Sequence, residues 1–128
     1  ARHVPGRANL LYALSAVVTC ARAYGLAALD GVHLDLADEA GLRAACLQGR
    51  DLGFDGKTLI HPSQVGVANE VFAPAAWEVA RARALLDAWE AARADGRSVA
   101  VFEGRLVEHL HASEARELLE TARSLDLS

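Results

Sequence analysis

The sequence predicts an α/β fold with parallel strand pairing, and three observations carry that reading. Short unbroken apolar runs at residues 26–29 and 58–60 suit strands buried on both faces. Segments with apolar residues at helical spacing precede, separate and follow them. Turn and cap residues (Asp30-Gly31, Asp38, Gly53, His61-Pro62) mark the boundaries. Alternating strands and helices at this spacing call for parallel pairing through right-handed crossovers. Two parallel strands cannot form a sheet covered on both faces, and a helix ahead of the first strand implies a further strand upstream. The periodicity therefore describes a piece of an α/β fold and does not choose a barrel. A stand-alone doubly wound domain fails on strand count.

Residues 1–8 read as an opening loop through Pro5 and Gly6. Asn9 is a candidate N-cap for a helix with Leu10, Leu14, Val17 and Ala21 on one face, ending at Gly25. The first strand stops at Asp30-Gly31. Asp38 caps a second helix with Leu42, Ala45, Cys46 and Gly49, which ends at Gly53. Pro62 follows the second strand at a first-turn helical position, where its missing N–H costs nothing. Val65, Ala68 and Phe72 give that helix an apolar face. Pro74 opens a longer helix with Val79, Ala82, Leu86 and Trp89, closed by Gly96. Residues 99–102 and 105–107 flank Glu103-Gly104 as a hairpin, and a last helix carries Ala115, Leu118, Leu119 and Ala122.

The composition, 52% hydrophobic and 23% charged over 128 residues, is that of a soluble globular chain with room for one ordinary domain. Aromatic residues make up only 5%, so Ala, Leu and Val must build the core. A net charge of −4 with scattered basic residues argues against nucleic acid or an anionic membrane as partner. Cys20 and Cys46, far apart and outside any C-x-x-C pattern, read as buried reduced thiols. No apolar run approaches the roughly 20 residues of a bilayer span. A cytoplasmic location is expected, and Ala1 in place of Met suggests a start further upstream.

One stretch is more specific than periodicity. Leu29-Asp30-Gly31-Val32 with Asp35, Asp38 and Gly41-Leu42 leads into the string from Gly53-Phe54-Asp55-Gly56-Lys57 to Ile60-His61-Pro62-Ser63-Gln64, then Asn69, Phe72 and Pro74. Together with the tail from Glu103-Gly104-Arg105 to His111 and Ala115-Arg116, this resembles the closing portion of the citrate lyase β-subunit-like CoA-ester lyases, which include malyl-CoA and citramalyl-CoA lyases. The resemblance runs from about Leu10 to Ala122. It implies strands seven (residues 26–30) and eight (58–60) of a (β/α)₈ TIM barrel over residues 1–73, and a helix–hairpin–helix C-terminal extension over 74–128 for capping and oligomerisation. Such barrels need about 250 residues, so the chain is expected to be roughly half of one and inactive alone. Asp30 and His61 then fall at the carboxyl ends of their strands, where barrel active sites form.

The resemblance further implies carbon–carbon bond cleavage beside a CoA thioester (malyl-, citramalyl- or citryl-CoA) to acetyl-CoA and an oxo acid. Mg²⁺ is the implied cofactor, held by a Glu and an Asp upstream of this chain, so no metal ligand is assigned here. Glu108 matches the extension carboxylate that the family places over a neighbouring subunit's active site for proton transfer, although many members carry Asp there; a solvated hairpin-end Glu is the alternative. Asp30 is the second catalytic candidate, against a turn residue before Gly31. His61, Lys57, Gln64 and Asn69 are candidates for the CoA channel. Against that, His61 can bond the backbone, Lys57 can be solvated, and Gln64 and Asn69 can lie on a polar helix face. His109 and His111 alternate along an extended segment and so do not share a metal. A homo-oligomer, trimer or hexamer as in the family, is expected. The rival reading is a non-catalytic, truncated module whose Ala-rich tail, with Trp77 and Trp89, keeps only subunit docking.

Overall fold

The computed structural model describes residue 2 and residues 4–125. It divides into two compact units between Phe72 and Ala73. The first unit contains helix α1 (Leu11–Ala23), strand β1 (Leu29–Asp30), helix α2 (Glu39–Leu52), strand β2 (Gly56–Lys57) and helix α3 (Val65–Phe72). β1 and β2 pair in parallel, Leu29 opposite Gly56 and Asp30 opposite Lys57, which the intervening helix α2 makes possible.

Both strands are shorter than the apolar runs suggested, and the second lies earlier. Thr58 N still donates to Asp30 O at 2.9 Å. Ile60 N, however, donates to Gln64 Oε1 at 3.1 Å, so residues 58–60 leave the sheet and turn toward the 3₁₀ turn Pro62–Gln64. His61 accordingly sits past the strand end, as the cap of that turn. The start of α1 also differs from the expected Asn9 cap. Pro5 opens a 3₁₀ segment in which Gly6 (φ 64°) and Arg7 (φ 53°) both adopt left-handed backbone, and the helix begins only at Leu11. Asn9 instead donates from Nδ2 to Arg2 O at 3.2 Å.

α2 follows the sequence closely. Asp38 accepts from Gly41 N at 2.9 Å, a helix-capping bond. At the other end Gly53 takes a left-handed φ of 96°, and Phe54 N returns to Gly49 O at 3.0 Å, the Schellman arrangement. That closure turns Phe54 into a cluster with Val18 and Ala28, bordered by Leu14, Ala21, Leu52 and Phe72. A neighbouring cluster joins Leu42 and Cys46 of α2 to Val67, Ala68 and Val71 of α3, again with Phe72. The α3 face that packs therefore keeps the expected Ala68 and Phe72 and adds Val67 and Val71, while Val65 is exposed. On α1 the buried position is Val18, with the expected Leu14 and Ala21 packed beside it, while Leu10 and Val17 are exposed. Cys46 is fully buried, and burial raises its thiol pKa; Cys20, expected buried, lies exposed on α1.

The second unit contains α4 (Ala76–Ala94), strands β3 (Ala100–Phe102) and β4 (Arg105–Val107), and α5 (His109–Ser124). Pro74 stands ahead of α4, whose first turn is closed by Ala75 N donating to Glu78 Oε2 at 2.7 Å. Ala82, Leu85, Trp89 and Ala92 of α4 pack with Ala100, Val107, Ala112 and Ala115. The small Ala side chains let the two helices approach closely, the consequence expected of a core poor in aromatics. Trp89 is thus spent internally; only Trp77 of the two tryptophans is exposed. His109 and His111 belong to α5, not to an extended segment. Two positions apart on a helix they point about 200° apart, so they still do not share a metal.

β3 and β4 form an antiparallel hairpin, Phe102 opposite Arg105. Its two turn residues both have positive φ, Glu103 at 50° and Gly104 at 74°, the type I′ signature. Glu103 tolerates a conformation that Asn or Gly would adopt more easily, and its carboxylate meets Arg81 Nε at 2.9 Å. Replacing Gly104 by Ala should destabilise this unit by about 1–2 kcal/mol, the left-handed penalty of an L residue. An unchanged urea midpoint for G104A would contradict the turn assignment.

Candidate functional site

The site begins with an anomaly: at the end of β1 an apolar residue is exposed and an acid is buried. Leu29 is 62% exposed, whereas the Asp30 side chain is fully inaccessible. A buried carboxylate needs partners, and three segments supply them. Arg7 Nη1 donates to Asp30 Oδ1 at 2.7 Å, and Gly31 N donates to the same oxygen at 2.8 Å. Lys57 Nζ donates to Asp30 Oδ2 at 3.1 Å and to Gly31 O at 2.6 Å. Pairing of β1 with β2 puts Lys57 opposite Asp30 in register, so the G-K of the long motif is placed by the sheet. Burial pushes the Asp30 pKa up, but the hydrogen bonds from Arg7, Lys57 and Gly31 N, with the Lys57 charge, outweigh it and leave it below the usual carboxylate value.

Helix α2 closes the pocket from beneath. A Cβ on Gly49 would lie 3.0 Å from Asp30 Oδ2, so this mid-helix glycine is the close-approach point of helix and carboxylate. Gln48 next to it accepts from Arg7 Nε at 2.8 Å and donates from Nε2 to Gly6 O, which fixes Arg7 over the acid. A second ionic joint braces the base of the two strands. Arg22 reaches both oxygens of Asp55 at 2.8 Å, and Asp55 Oδ2 also accepts from Ala28 N at 2.7 Å. The Arg22 hydrogen bond lowers the Asp55 pKa, helped by Ala28 N against burial.

The candidates chosen from sequence separate into two kinds. Asp30 and Lys57 form one buried cluster; Lys57, a candidate for the CoA channel with solvation as the alternative, is neither solvated nor facing a channel, its side chain being 1% exposed and turned to Asp30. Gln64 is likewise buried and used internally, accepting from Ile60 N and donating to His33 O at 2.9 Å; it fastens the loop after β1 to the loop after β2 instead of facing a ligand. His61 is exposed and accepts from Ser63 N at 3.2 Å, the backbone-bonded alternative. Asn69 is exposed on α3, and Glu108 is exposed at the cap of α5, its N–H donating to His111 Nδ1 at 3.1 Å. Sequence reasoning missed Arg7, Gly49 and the Arg22–Asp55 pair. The Gly-flanked Asp55 of the G-F-D-G string was a usable signal; for Arg7 there was none, because its partner is 23 residues away.

Mg²⁺ does not fit the residues described. No three His, Cys, Asp or Glu side chains converge among them, and both oxygens of Asp30, the buried acid here, are taken by cations and an amide. No helix of the described residues is long and apolar enough to cross a membrane.

A parallel strand pair joined through a helix is the basic unit of an α/β fold. Comparison gives the lineage: residues 1–62 match the HpcH/HpaI aldolase/citrate lyase family model, and the relatives that align with nearly the whole chain support a citrate lyase β-like family. It is 47% identical over 124 residues to a (3S)-malyl-CoA thioesterase from Cereibacter sphaeroides, covering 97% of this chain and 44% of that protein. It is also 47% identical over 118 residues to a citrate lyase subunit beta-like protein of Deinococcus radiodurans, covering 92% of this chain and 42% of that one. Among solved structures it resembles the CitE protein of Mycobacterium tuberculosis, in complex with magnesium, acetoacetate and coenzyme A, with TM-score 0.75 and 33% identity over 95% of this chain and 45% of that one. The chain thus spans less than half the length of these relatives.

Two outcomes follow from the cluster. Gly49→Ala would normally stabilise a helix interior by about 0.5–1 kcal/mol. Here the added methyl meets a carboxylate held by three donors, so a net loss of about 1–2 kcal/mol is expected in chemical denaturation; a gain would show that Asp30 can yield. Because the folded-state pKa of Asp30 is depressed, its contribution is present above the ordinary carboxylate pKa and is lost as pH falls through the folded value. Asp30→Asn should cost about 3–5 kcal/mol near pH 7 by stranding the Lys57 and Arg7 charges, and should flatten the acid limb of the stability–pH curve. An unaltered acid limb in D30N would refute the assignment.

Proposed function

We propose that this chain supplies the closing strands and the C-terminal extension of a Mg²⁺-dependent enzyme acting on a CoA thioester of the malyl-, citramalyl- or citryl-CoA type. β1 and β2 take the roles of barrel strands seven and eight, and the unit from Ala73 onward is the extension. The observation that carries the reading is Lys57 of the long G-F-D-G-K to I-H-P string meeting the buried Asp30, which Arg7 also pairs, at the carboxyl end of parallel strands, in a chain 47% identical to a malyl-CoA thioesterase. Mg²⁺ belongs, on this reading, to carboxylates of the enzyme outside these residues.

Two reactions share such a substrate. In the lyase reaction the bond between the hydroxyl-bearing carbon and the thioester α-carbon breaks. The hydroxyl proton leaves, the bonding electrons pass to the thioester enolate, and the α-carbon takes a proton to give acetyl-CoA and an oxo acid. In the thioesterase reaction water adds to the thioester carbonyl and CoA departs as the thiol. Glu108, exposed and anchored at the start of α5, is the proposed proton carrier to or from the α-carbon, acting at the active site of a neighbouring subunit in a homo-oligomer. His61 and Asn69, both exposed, are the proposed CoA-side contacts. Asp30, Lys57 and Gln64 act as positioning groups, holding the two loops at fixed separation without touching substrate.

Assayed alone with Mg²⁺ and malyl-CoA, the 128-residue chain is expected to release neither glyoxylate nor CoA. Fused to the upstream part of the Cereibacter sphaeroides relative, it should restore Mg²⁺-dependent cleavage, with glyoxylate or malate as product deciding between the two reactions. Glu108→Gln in the fusion should lower turnover about 10²–10⁴-fold, the usual share of general acid–base catalysis. Turnover by the isolated chain, or full activity of the E108Q fusion, would remove the basis of this assignment.

A further inference from the structure

Helix α5 starts in an uncommon way. The residue before a helix ordinarily lends its own side chain to the first unpaired amides, and Ser, Thr, Asp or Asn does this best. Glu108 holds that place with an extended backbone (φ −119°, ψ 175°), yet its carboxylate makes no capping bond. Its backbone is nonetheless engaged at both polar atoms. The Glu108 N–H donates to His111 Nδ1 at 3.1 Å, and its carbonyl accepts from Ala112 N at 3.3 Å. Val107 before it and Ala112 after it are both buried in the core of the second unit. The carboxylate is therefore the free end of a fixed and exposed residue.

The identity of the acceptor matters. At the corresponding position of α4 the chain uses the common solution, Glu78 Oε2 accepting from Ala75 N at 2.7 Å. A Glu at position 111 could take the same bond. It would also set a second negative charge beside Glu108, because residues three apart are neighbours on a helix surface, and like charges disturb each other's proton exchange. Imidazole avoids this. A ring nitrogen that accepts belongs to the neutral ring, with the proton on Nε2, so His111 satisfies the amide without adding charge.

We propose that His111 is the positioning residue of Glu108: by capping α5 with a neutral acceptor it fixes the Glu108 backbone and leaves the carboxylate free for proton transfer. The proposal deepens the functional reading above and rests on its assignment of Glu108 as the proton carrier. His111 acts through the carboxylate it places and needs no contact with substrate.

The test uses the fusion with the upstream part of the Cereibacter sphaeroides relative. Steady-state kinetics with Mg²⁺ and malyl-CoA are measured beside hydrogen exchange at residues 108–112. His111→Ala removes the acceptor, and His111→Gln replaces it with a neutral one suited to the third helical position. H111A should keep the native circular dichroism spectrum and exchange faster at the start of α5. Its kcat should fall about 10–100-fold with KM little changed, the scale of a misplaced reacting group. H111Q should restore both the exchange protection and most of the turnover. In an E108Q background H111A should cost nothing further, because the group it places is already gone. Full kcat in H111A, whatever its exchange, overturns the proposal, as does an equal loss in H111Q or an undiminished loss on top of E108Q. If H111A loses the native spectrum, H111Q decides: turnover retained without the imidazole supports a neutral cap, and turnover lost in a folded protein overturns it. The two readings fail differently. A fully active E108Q fusion sinks the assignment of Glu108 and the positioning role with it, whereas an impaired E108Q beside an unimpaired H111A sinks the positioning role alone.

Discussion

The first unit is organised around a carboxylate that water cannot reach. Asp30 sits at the end of a two-residue strand with its side chain fully buried, and an isolated charge there would be strongly unfavourable. Its stability depends on bringing a guanidinium from the opening turn, an ammonium from the next strand and a backbone amide to the same two oxygens. Each partner comes from a different segment, so the acid can be satisfied only when the opening turn, β1 and β2 are assembled together. Gly49 then has to be side-chain-free for α2 to come within contact of that carboxylate.

That requirement accounts for several local departures. The left-handed backbone at Gly6 and Arg7 brings the guanidinium over the strand end and delays α1 to Leu11. Gln64, drawn to Ile60 N and His33 O, truncates the second strand while tying the two loops together. The Arg22–Asp55 pair performs the matching role at the other end of the strands, where Asp55 also receives Ala28 N. Its partly exposed charges make it the weaker of the two joints. Function is proposed at exposed residues, His61 and Asn69 on the first unit and Glu108 at the start of α5 in the second.

The second unit solves a different problem. With aromatic residues scarce, α4 and α5 are brought together through alanine contacts and a single buried tryptophan. The hairpin between them needs a turn in which both central residues have positive φ. Glu103 accepts that conformation in a position where its carboxylate also finds Arg81, so a surface charge and a backbone constraint are met by one residue.

Local signals in the chain were sufficient for the helix ends at Asp38 and Gly53, the Pro62 turn, the Glu103-Gly104 hairpin, the parallel relation of the two strands and the family. Caps, turns and crossovers involve residues a few positions apart, or a motif long enough to be distinctive, and such information is written linearly. What tertiary structure alone decided was which polar residues face inward. Lys57 and Gln64 read linearly as solvated residues or ligand contacts and prove to be internal braces, and Arg7 looks like loop and proves to be the counter-ion of Asp30. The physical reason is that burial and charge pairing depend on distances across 23 to 31 positions of chain, which neither composition nor periodicity encodes.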